Sequence, residues 1–391
     1  MSTVISSIAR TPIGRFGGAF RATPAIDLGA AAMSAAIERS GLEPALIDEV
    51  WFGHVVQAGT GQITSRQAAV KAGVPMTVPS TTINKVCLSG MSAIGVADRA
   101  IRLGEAKFVL AGGMESMSQA PYLVPGARWG LKYGNGALVD ALETDGLFCA
   151  LDKCTMGAST DARNRELGMT RPTQDAWALQ SHQRAAKATA EGWFSDEIVP
   201  VAVETRAGVE MIGIDEGFRT DTSYEALASL RPAFTKDGDL TAGNASQMSD
   251  GAAALIVADS VAAEAEGLPV LAEVIAYGQI GGADATLLER PAEAIRRALK
   301  STEFDVSDLN LVEINEAFAS VAVWSSDNLG LDHSRVNVHG GAIALGHPLG
   351  ATGARIVVTL INALRSRGGG LGAAALCGGG GQGDALIVRV P

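Results

Sequence analysis

The chain has 391 residues, of which 47% are hydrophobic and 19% are charged, and its formal net charge is −11. This composition excludes a disordered chain and indicates two or three globular domains. The negative charge argues against binding to nucleic acid or to an anionic membrane.

No run of about 18 apolar residues predicts a membrane span, and no signal-peptide pattern is present, so we expect a cytoplasmic protein. The four cysteines are Cys87, Cys149, Cys154 and Cys377, and no two of them have Cys-x-x-Cys spacing. They are too few for a disulfide framework in a chain of this length. We therefore expect reduced thiols.

The first third of the chain alternates strand and helix signals. Thr23 is predicted to cap a helix with Pro24 at its first position, and Gly41 is predicted to end it. The other predicted elements are strands at Val4–Ile8, Glu49–Val56, Ser80–Val86 and Ala106–Ala111, and helices at Ser65–Lys71 and Met91–Leu103. Such alternation indicates parallel pairing in an α/β fold.

The last third repeats this order. The predicted strands are Val270–Ile275, Leu311–Ile314, Arg335–Val338, Leu371–Cys377 and Ala385–Val390. The predicted helices are Ala292–Lys300, a segment ending at Leu329 before Gly330, and Thr352–Arg365.

Two strand pairs also match between the ends of the chain. Phe108–Gly113 resembles Ala373–Gly380, and Asp250–Ala258 resembles Gly383–Val390. Near the C-terminus, Gly383–Val390 follows Ala373–Gly380 almost at once. In the first copy, about 136 residues (114–249) separate Phe108–Gly113 from Asp250–Ala258. We infer a duplicated α/β domain with a large insertion. The predicted parts are an N-terminal half (1–117, completed by 248–268), an inserted loop domain (118–247) and a C-terminal half (269–391).

Cys87 lies between the extended run 81–86 and a predicted helix. The partial positive charge of a helix N-terminus favours a thiolate, so we expect a lowered pKa and a nucleophilic sulfur. The alternative interpretation is a small buried hydrophobic residue, which is the commoner role of a single cysteine.

His347 lies in the glycine-rich segment 340–353, where backbone can pass close to a ligand. A dinucleotide-binding loop is one alternative, but the G-x-G-x-x-G spacing is missing. A metal site with His333 and His339 is another, and no carboxylate or thiolate at suitable spacing completes it.

Cys377 precedes a run of glycines whose backbone N–H groups could form an oxyanion hole. Asn315 follows the apolar strand 311–314, where it could hold a water molecule or simply cap a helix. All four residues lie at the carboxyl ends of predicted strands, where open α/β sheets bind ligands.

Four segments together resemble the signatures of the thiolase family, in order along the chain. They are Asn84–Gly90 around Cys87, Asn315–Phe318, Gly340–Gly350 around His347, and Cys377–Gly380. The resemblance implies two five-layer αβαβα halves with an inserted loop domain, and a homotetramer built as a dimer of dimers. It also implies acyl-CoA and CoA as substrates in fatty-acid metabolism, with no separate cofactor and no metal.

The resemblance also implies roles for these residues. Cys87 would hold an acyl group, and His347 would help to take its thiol proton. The acyl oxygen would lie against the backbone N–H groups of Cys87 and Gly379. Cys377 would remove the α-proton of a second acetyl-CoA, and His347 with a water on Asn315 would hold the enolate. The product would be a 3-ketoacyl-CoA, and the reverse reaction would cleave one.

Binding of anionic CoA requires local positive charge. The insertion contains a group of basic residues, Arg206, Arg219, Arg231 and Lys236, and segments 230–234 and 241–246 resemble CoA-contacting segments of the family. We expect Arg219 to contact a phosphate and Ser246 to contact pantetheine. Met156, Phe234 and Phe318 are expected to line the tunnel, with ordinary core packing as the alternative.

Two departures from the family pattern concern acyl-chain preference. Thr155 stands where the family often has His, and Leu287–Pro291 replaces an expected small glycine-rich segment. A ketoacyl synthase of the same fold is an alternative enzyme, but such enzymes lack a second cysteine like Cys377. A lipid carrier or assembly partner could lose a catalytic residue, whereas this chain keeps all four.

Overall fold

The computed structural model describes residues 2–206 and 208–391, and its N-terminal part alternates strands and helices as expected. The elements before the insertion are β1 (Thr3–Arg10), β2 (Gly14–Arg15), α1 (Ala25–Ser40), β3 (Glu49–Gly53), α2 (Thr64–Lys71), β4 (Ser80–Ile83), α3 (Ser89–Arg102) and β5 (Phe108–Ser116). Pro24 itself occupies the N-cap of α1, so its predicted place inside the helix is wrong by one residue. Gly41 ends that helix in the left-handed conformation, which glycine adopts without strain.

Residues 117–248 connect two strands that lie side by side, β5 and the strand that begins at Ser249. They contain β6 (Tyr122–Leu123), β7 (Val139–Asp140), β8 (Phe148–Cys149), β9 (Cys154–Thr155), α4 (Met156–Leu167), α5 (Arg171–Ala190), β10 (Val201–Thr205), β11 (Gly208–Ile212) and α6 (Tyr224–Ala228). The three strand pairs here are small separate hairpins.

The remaining chain repeats the strand and helix order of the first part. Its elements are β12 (Ser249–Asp259), α7 (Ser260–Ala265), β13 (Ala272–Gly281), α8 (Arg290–Leu299), β14 (Leu311–Ile314), α9 (Ala319–Leu329), α10 (Ala342–Leu345), α11 (Leu349–Arg365), β15 (Gly370–Gly378) and β16 (Gln382–Val390). No helix in the described ranges is both long and apolar enough to cross a membrane.

The predicted strand Arg335–Val338 is wrong. Only Val336 makes a single bridge to β14, and Asn337 adopts a left-handed conformation with φ 47°. The Asn337 side chain accepts a hydrogen bond from the backbone N–H of Ile314 and donates one to its carbonyl, both at 2.8 Å. A side-chain amide thus takes the place of strand backbone beside β14.

The sheet is mixed, so the expectation of parallel pairing holds only for part of it. Its order is β14-β15-β16-β13-β1-β12-β5-β3-β4, with β2 paired to β12. The pairs β3–β4, β3–β5 and β14–β15 are parallel, and the central pairs are antiparallel. Parallel neighbours need a crossover helix, whereas β15 and β16 are joined by a tight turn and β5 and β12 by the insertion.

Helices cover and separate the two halves of the sheet, which gives five layers. Helices α1 and α2 pack on the outer face of the N-terminal half, and α8 and α9 on the outer face of the C-terminal half. Helices α3 and α11 lie between the halves and share one apolar core with strands of both. This arrangement confirms the predicted duplicated αβαβα fold.

Glycines allow α11 to approach the first half closely. A Cβ atom on Gly113 would overlap the carbonyl oxygen of Gly350, and one on Gly53 or Gly90 would lie 2.6 Å or 2.8 Å from the same atom. The N-terminus of α11 is therefore held against β3, β5 and α3. Because His347 immediately precedes α11, this packing carries it to the edge where Cys87 lies.

Candidate active site

A small, mostly apolar cavity of about 60 Å³ lies between the two halves and the insertion. Cys87, His347, Cys377 and Gly379 all line it, although three different parts of the chain supply them. The rest of the wall consists of Val86, Gly146, Leu147, Met156, Ser246, Leu287, Ala317, Phe318, Leu349 and Gly378. Asn315 is fully buried directly behind His347.

Cys87 is presented by a strained turn after β4. Val86 has φ 51°, a left-handed conformation that is unfavourable for a β-branched side chain. The turn is held by local hydrogen bonds, because the Val86 N–H donates to Asn84 Oδ1 at 3.0 Å and the Lys85 N–H donates to Ser89 Oγ at 2.8 Å. Backbone strain of this kind persists where the surroundings hold it, often at functional sites.

The pKa of Cys87 differs from the sequence-based expectation. Cys87 does lie just before α3, which begins at Ser89. Burial nevertheless raises the pKa of its thiol to about 12, against the smaller lowering effect of the backbone N–H groups of Cys87 and Gly379. The predicted lowering is therefore wrong, since removal of water outweighs the helix terminus. The resting group is a neutral thiol that needs a base.

Cys377 lies near the end of β15, opposite Gly383 of β16. Burial raises the pKa of its thiol, and the neighbouring Cys87 adds to the effect. An ion pair joins the two cysteine segments, because Lys85 Nζ lies 2.7 Å from the carboxylate of Asp384, one residue beyond Gly383. Leu88 also packs under Gly378, where a Cβ atom would lie only 2.5 Å away.

His347 has defined partners on both ring nitrogens. Nδ1 lies 2.7 Å from Thr352 Oγ1, and that hydroxyl donates to the Pro348 carbonyl at 2.9 Å. We therefore assign the ring proton to Nδ1, which leaves Nε2 as an acceptor 3.5 Å from Nδ2 of Asn315. Burial, with a contribution from Arg355, lowers the pKa of His347 to about 3, so the imidazole is neutral near pH 7.

Glu316 is a buried anchor that the sequence did not single out. Its carboxylate accepts hydrogen bonds from Trp177 Nε1 at 2.9 Å and Ser181 Oγ at 2.7 Å, both on α5. It also accepts from Asn337 Nδ2 at 2.9 Å and from the backbone of Ile343 at 3.1 Å. Glu316 therefore joins the insertion to the end of β14, next to Asn315, and to the segment that leads to His347.

Of the three residues predicted to line the tunnel, two lie in the cavity wall and one lies outside it. Met156 begins α4 and lines the cavity together with Phe318 and Ser246. Phe234 is not part of that lining and is partly exposed, but its ring packs edge-on against Phe318 with centroids 5.8 Å apart. A Cβ atom on Gly157 would overlap the Phe234 ring, so this glycine lets the ring rest on the start of α4.

The predicted phosphate contact, Arg219, is exposed and lies outside the cavity lining. Its backbone N–H donates to Nδ1 of His182 at 3.1 Å. Burial and the charge of Arg219 lower the pKa of His182 to about 4. The other basic residues of the group, Arg206, Arg231 and Lys236, are likewise on the surface or partly so.

Sequence reasoning gave no site role to the wall residues Val86, Gly146, Leu147, Ala317, Leu349 and Gly378, or to the buried Thr352. Leu349 and Thr352 follow His347 within one and a half helical turns, so helical spacing was an available signal. Gly146 and Leu147 come from the insertion, and no local pattern marks them. Among the residues that the structure describes, no three His, Cys, Asp or Glu side chains group as a metal site would require.

Comparison with known protein families identifies the family of this chain. Residues 3–260 match the thiolase N-terminal domain, and residues 268–390 match the thiolase C-terminal domain. The chain belongs to the thiolase family. The thiolase is 50% identical over 382 residues to a probable acetyl-CoA acetyltransferase of Mycolicibacterium smegmatis, covering 97% of this chain and 98% of the relative.

Solved structures agree with this thiolase over its whole length. The acetyl-CoA acetyltransferase of Bacillus anthracis superimposes with a TM-score of 0.97 at 40% identity, covering 100% of this chain and 99% of the other. Human mitochondrial 3-ketoacyl-CoA thiolase gives the same TM-score at 38% identity and the same coverage. The predicted family and fold are confirmed.

Proposed function

We propose that this thiolase carries out its condensation and thiolysis chemistry through an acyl group on Cys87, with acetyl-CoA as a substrate. One observation carries the proposal: Cys87, Cys377 and His347 face a single cavity of about 60 Å³. Two thiols and a neutral imidazole are the groups that acyl storage and α-proton transfer require.

Acyl loading begins with proton removal from Cys87. Nε2 of His347 accepts the thiol proton, since its Nδ1 proton is already committed to Thr352. The sulfur attacks the thioester carbonyl, and the developing oxyanion receives hydrogen bonds from the backbone N–H groups of Cys87 and Gly379, which already act on the thiol. Cys377 gives its proton to the departing CoA sulfur. The acyl-enzyme then contains a protonated His347 and a Cys377 thiolate.

Condensation returns both protons. The Cys377 thiolate removes an α-proton from a second acetyl-CoA, and the enolate oxygen accepts from the protonated Nε2 of His347. Asn315 supports this step, because among the described residues nothing donates to its buried Oδ1 and a water held there can donate to the enolate. The enolate attacks the acyl carbonyl, and Cys87 leaves as a thiolate that recovers its proton from His347. Thiolysis is the reverse sequence.

The size of the cavity supports a short acyl group. A cavity of about 60 Å³ suits an acetyl group better than a long chain. Leu287 and Phe318 line the cavity and belong to one buried apolar cluster. We expect initial rates of thiolysis to fall steeply as the 3-ketoacyl-CoA chain lengthens beyond acetoacetyl-CoA. Equal rates across the series would contradict the proposed preference.

CoA itself is proposed to enter along the insertion. Ser246 lies in the cavity wall, and its backbone N–H donates to the Ala317 carbonyl at 3.0 Å, so its side chain is held where pantetheine would pass. Arg219 is proposed to meet a phosphate because it is an exposed cation. Met156 and Phe318 would flank the reacting end, with Phe234 behind them.

The test of the proposed roles is to remove each thiol separately. Cys377→Ala should still accept an acetyl group from acetyl-CoA, so intact-mass spectrometry should show an acetylated protein that turns over poorly. Cys87→Ala should show no adduct. Turnover should fall in both by at least the ~10²–10⁴-fold typical of losing an acid–base group. Cys154→Ala, which alters a thiol outside the cavity lining, is the matched control.

The two outcomes that would overturn the assignment are distinct. Normal acetylation of Cys87→Ala would move the nucleophile elsewhere. A Cys377→Ala protein that keeps most of its condensation rate would remove Cys377 from proton transfer.

A homotetramer is proposed on the basis of exposed apolar side chains in the insertion. From β6 to the residue before β7 the chain exposes large hydrophobic side chains that a monomer would leave in water, including Trp129 with 84% of its surface exposed. The set is Tyr122, Val124, Trp129, Leu131, Tyr133 and Leu138. Patches of this kind usually mark an interface. Sedimentation of the wild type and of a Trp129→Asp, Leu131→Asp variant tests this, and an unchanged mass would contradict it.

We further propose that the protein acts in lipid metabolism and is located in the cytoplasm. All four cysteines are free in the structure, as expected in a reducing compartment.

A further inference from the structure

Two cysteines that the reaction does not use face each other in the insertion. Cys149 on β8 and Cys154 on β9 are direct cross-strand partners in a short antiparallel hairpin. Both are free thiols, Cys149 being buried and Cys154 partly exposed. Opposed residues in such a pair have Cβ atoms about 4.5–5.5 Å apart, and a disulfide needs about 3.5–4.5 Å, so a small approach of the strands would bring the sulfurs to bonding distance.

The hairpin is attached at both ends to the wall of the acyl cavity. Gly146 and Leu147, which line the cavity, immediately precede β8. Met156, another lining residue, immediately follows β9 and begins α4. The hairpin is therefore the connection between two sides of the site, and its closing residues are the two cysteines.

From this geometry we propose that Cys149 and Cys154 form a reversible disulfide, with a low-molecular-weight disulfide such as oxidised glutathione as oxidant, and that the disulfide restrains the cavity wall. The inference concerns a modification site outside the catalytic groups. Its chemistry does not depend on the roles proposed for Cys87 and Cys377.

The exchange balances in two steps. The Cys154 thiolate, on the more accessible of the two residues, attacks the small disulfide, which breaks its S–S bond and releases one thiolate. Cys149 then attacks the Cys154 sulfur of the mixed disulfide and releases the second. The protein loses two electrons and two protons, and two small thiols carry them away.

The disulfide should slow turnover. Leu147 and Met156 line the cavity from the two chain ends of the hairpin, and we expect them to move apart when an acyl thioester enters. A covalent link beside the turn of the hairpin, one residue pair beyond Phe148 and Thr155, restricts that movement. Because wall motions of this kind often limit turnover, we expect a severalfold loss of kcat that dithiothreitol restores.

The first experiment detects the bond without any assay of activity. Cys87→Ser protein, in which the two catalytic thiols cannot pair with each other, is incubated with oxidised glutathione and then mapped by mass spectrometry after alkylation. We expect the intact mass to fall by two hydrogens and one peptide to contain Cys149 linked to Cys154. Recovery of both residues as alkylated thiols, or of stable glutathione adducts alone, would overturn the proposal.

The second experiment connects the bond to turnover. Wild type and a Cys149→Ser, Cys154→Ser variant are treated alike, with Cys149→Ser as a control that retains one thiol. Only wild type should lose and regain activity through this bond, so the double variant should keep its untreated rate after oxidation. An equal loss in the double variant would assign the effect to the catalytic thiols and refute the proposed restraint.

Discussion

Thr352 offers the sharpest test of the proposed imidazole chemistry, because it controls the ring of His347 without touching the cavity. Its side chain is fully buried, and its hydroxyl lies between Nδ1 of His347 at 2.7 Å and the Pro348 carbonyl at 2.9 Å. Thr352→Val replaces that hydroxyl with a methyl group of similar shape. The Pro348 carbonyl keeps its two backbone donors, Ala351 and Thr352, both at 3.0 Å, so only Nδ1 of His347 loses its partner.

The expected loss follows from the charge that His347 acquires. A hydrogen bond to a charged group contributes about 1.5–3 kcal/mol, and the imidazolium forms only after the thiol proton is taken. At about 1.4 kcal/mol per tenfold change in rate, kcat should fall about 10- to 100-fold. Cys87 acetylation should slow by a similar factor, since it also needs the imidazolium.

The measurements are single-turnover acetylation by intact-mass spectrometry and steady-state thiolysis of acetoacetyl-CoA. Thr352→Ser is the matched control, because it keeps the hydroxyl and removes only one methyl group, and it should retain most of the activity. Thermal denaturation of both variants separates loss of stability from loss of chemistry. If Thr352→Val turned over as fast as Thr352→Ser, the assigned ring proton on Nδ1 would be refuted.

Further predictions concern CoA binding, pH dependence and chain length. Arg219→Glu should raise KM for CoA substrates with little change in kcat, because a remote phosphate contact binds ground and transition states alike. The control is Lys300→Glu, which makes the same charge change at another exposed position. If KM were unchanged in Arg219→Glu, another cation would hold the phosphate. Because the pKa of Cys87 is raised to about 12, its alkylation by iodoacetamide should increase about tenfold per pH unit from about pH 7 to about pH 9, and a plateau in that range would contradict the raised pKa. Because the pKa of His347 is lowered to about 3, thiolysis should show no inflection near the ordinary histidine pKa of about 6.5, and an inflection assigned to His347 would show that it is less buried. Leu287→Ala enlarges the cavity and should raise the rate with longer 3-ketoacyl-CoA substrates relative to acetoacetyl-CoA, whereas an unchanged ratio would move the limit to another wall residue.

Local patterns in the sequence were enough to locate the proposed reacting groups. Cys87, His347 and Cys377 each stand beside glycines or at a strand–helix corner, and these signals span only a few residues. The duplicated order of strands and helices could also be predicted, because hydrophobic periodicity and glycine caps are local properties. The family resemblance then related the separate motifs to one reaction.

Tertiary structure decided what depends on contacts distant in sequence. The antiparallel centre of the sheet depends on how β5 and β12 meet across the insertion, and no local pattern specifies that pairing. The pKa of Cys87 is raised because the folded chain removes water from the thiol, an effect that outweighs the helix terminus visible in the sequence. Likewise, Thr352 reaches His347, and Cys149 faces Cys154, only because the backbone turns there bring those side chains together.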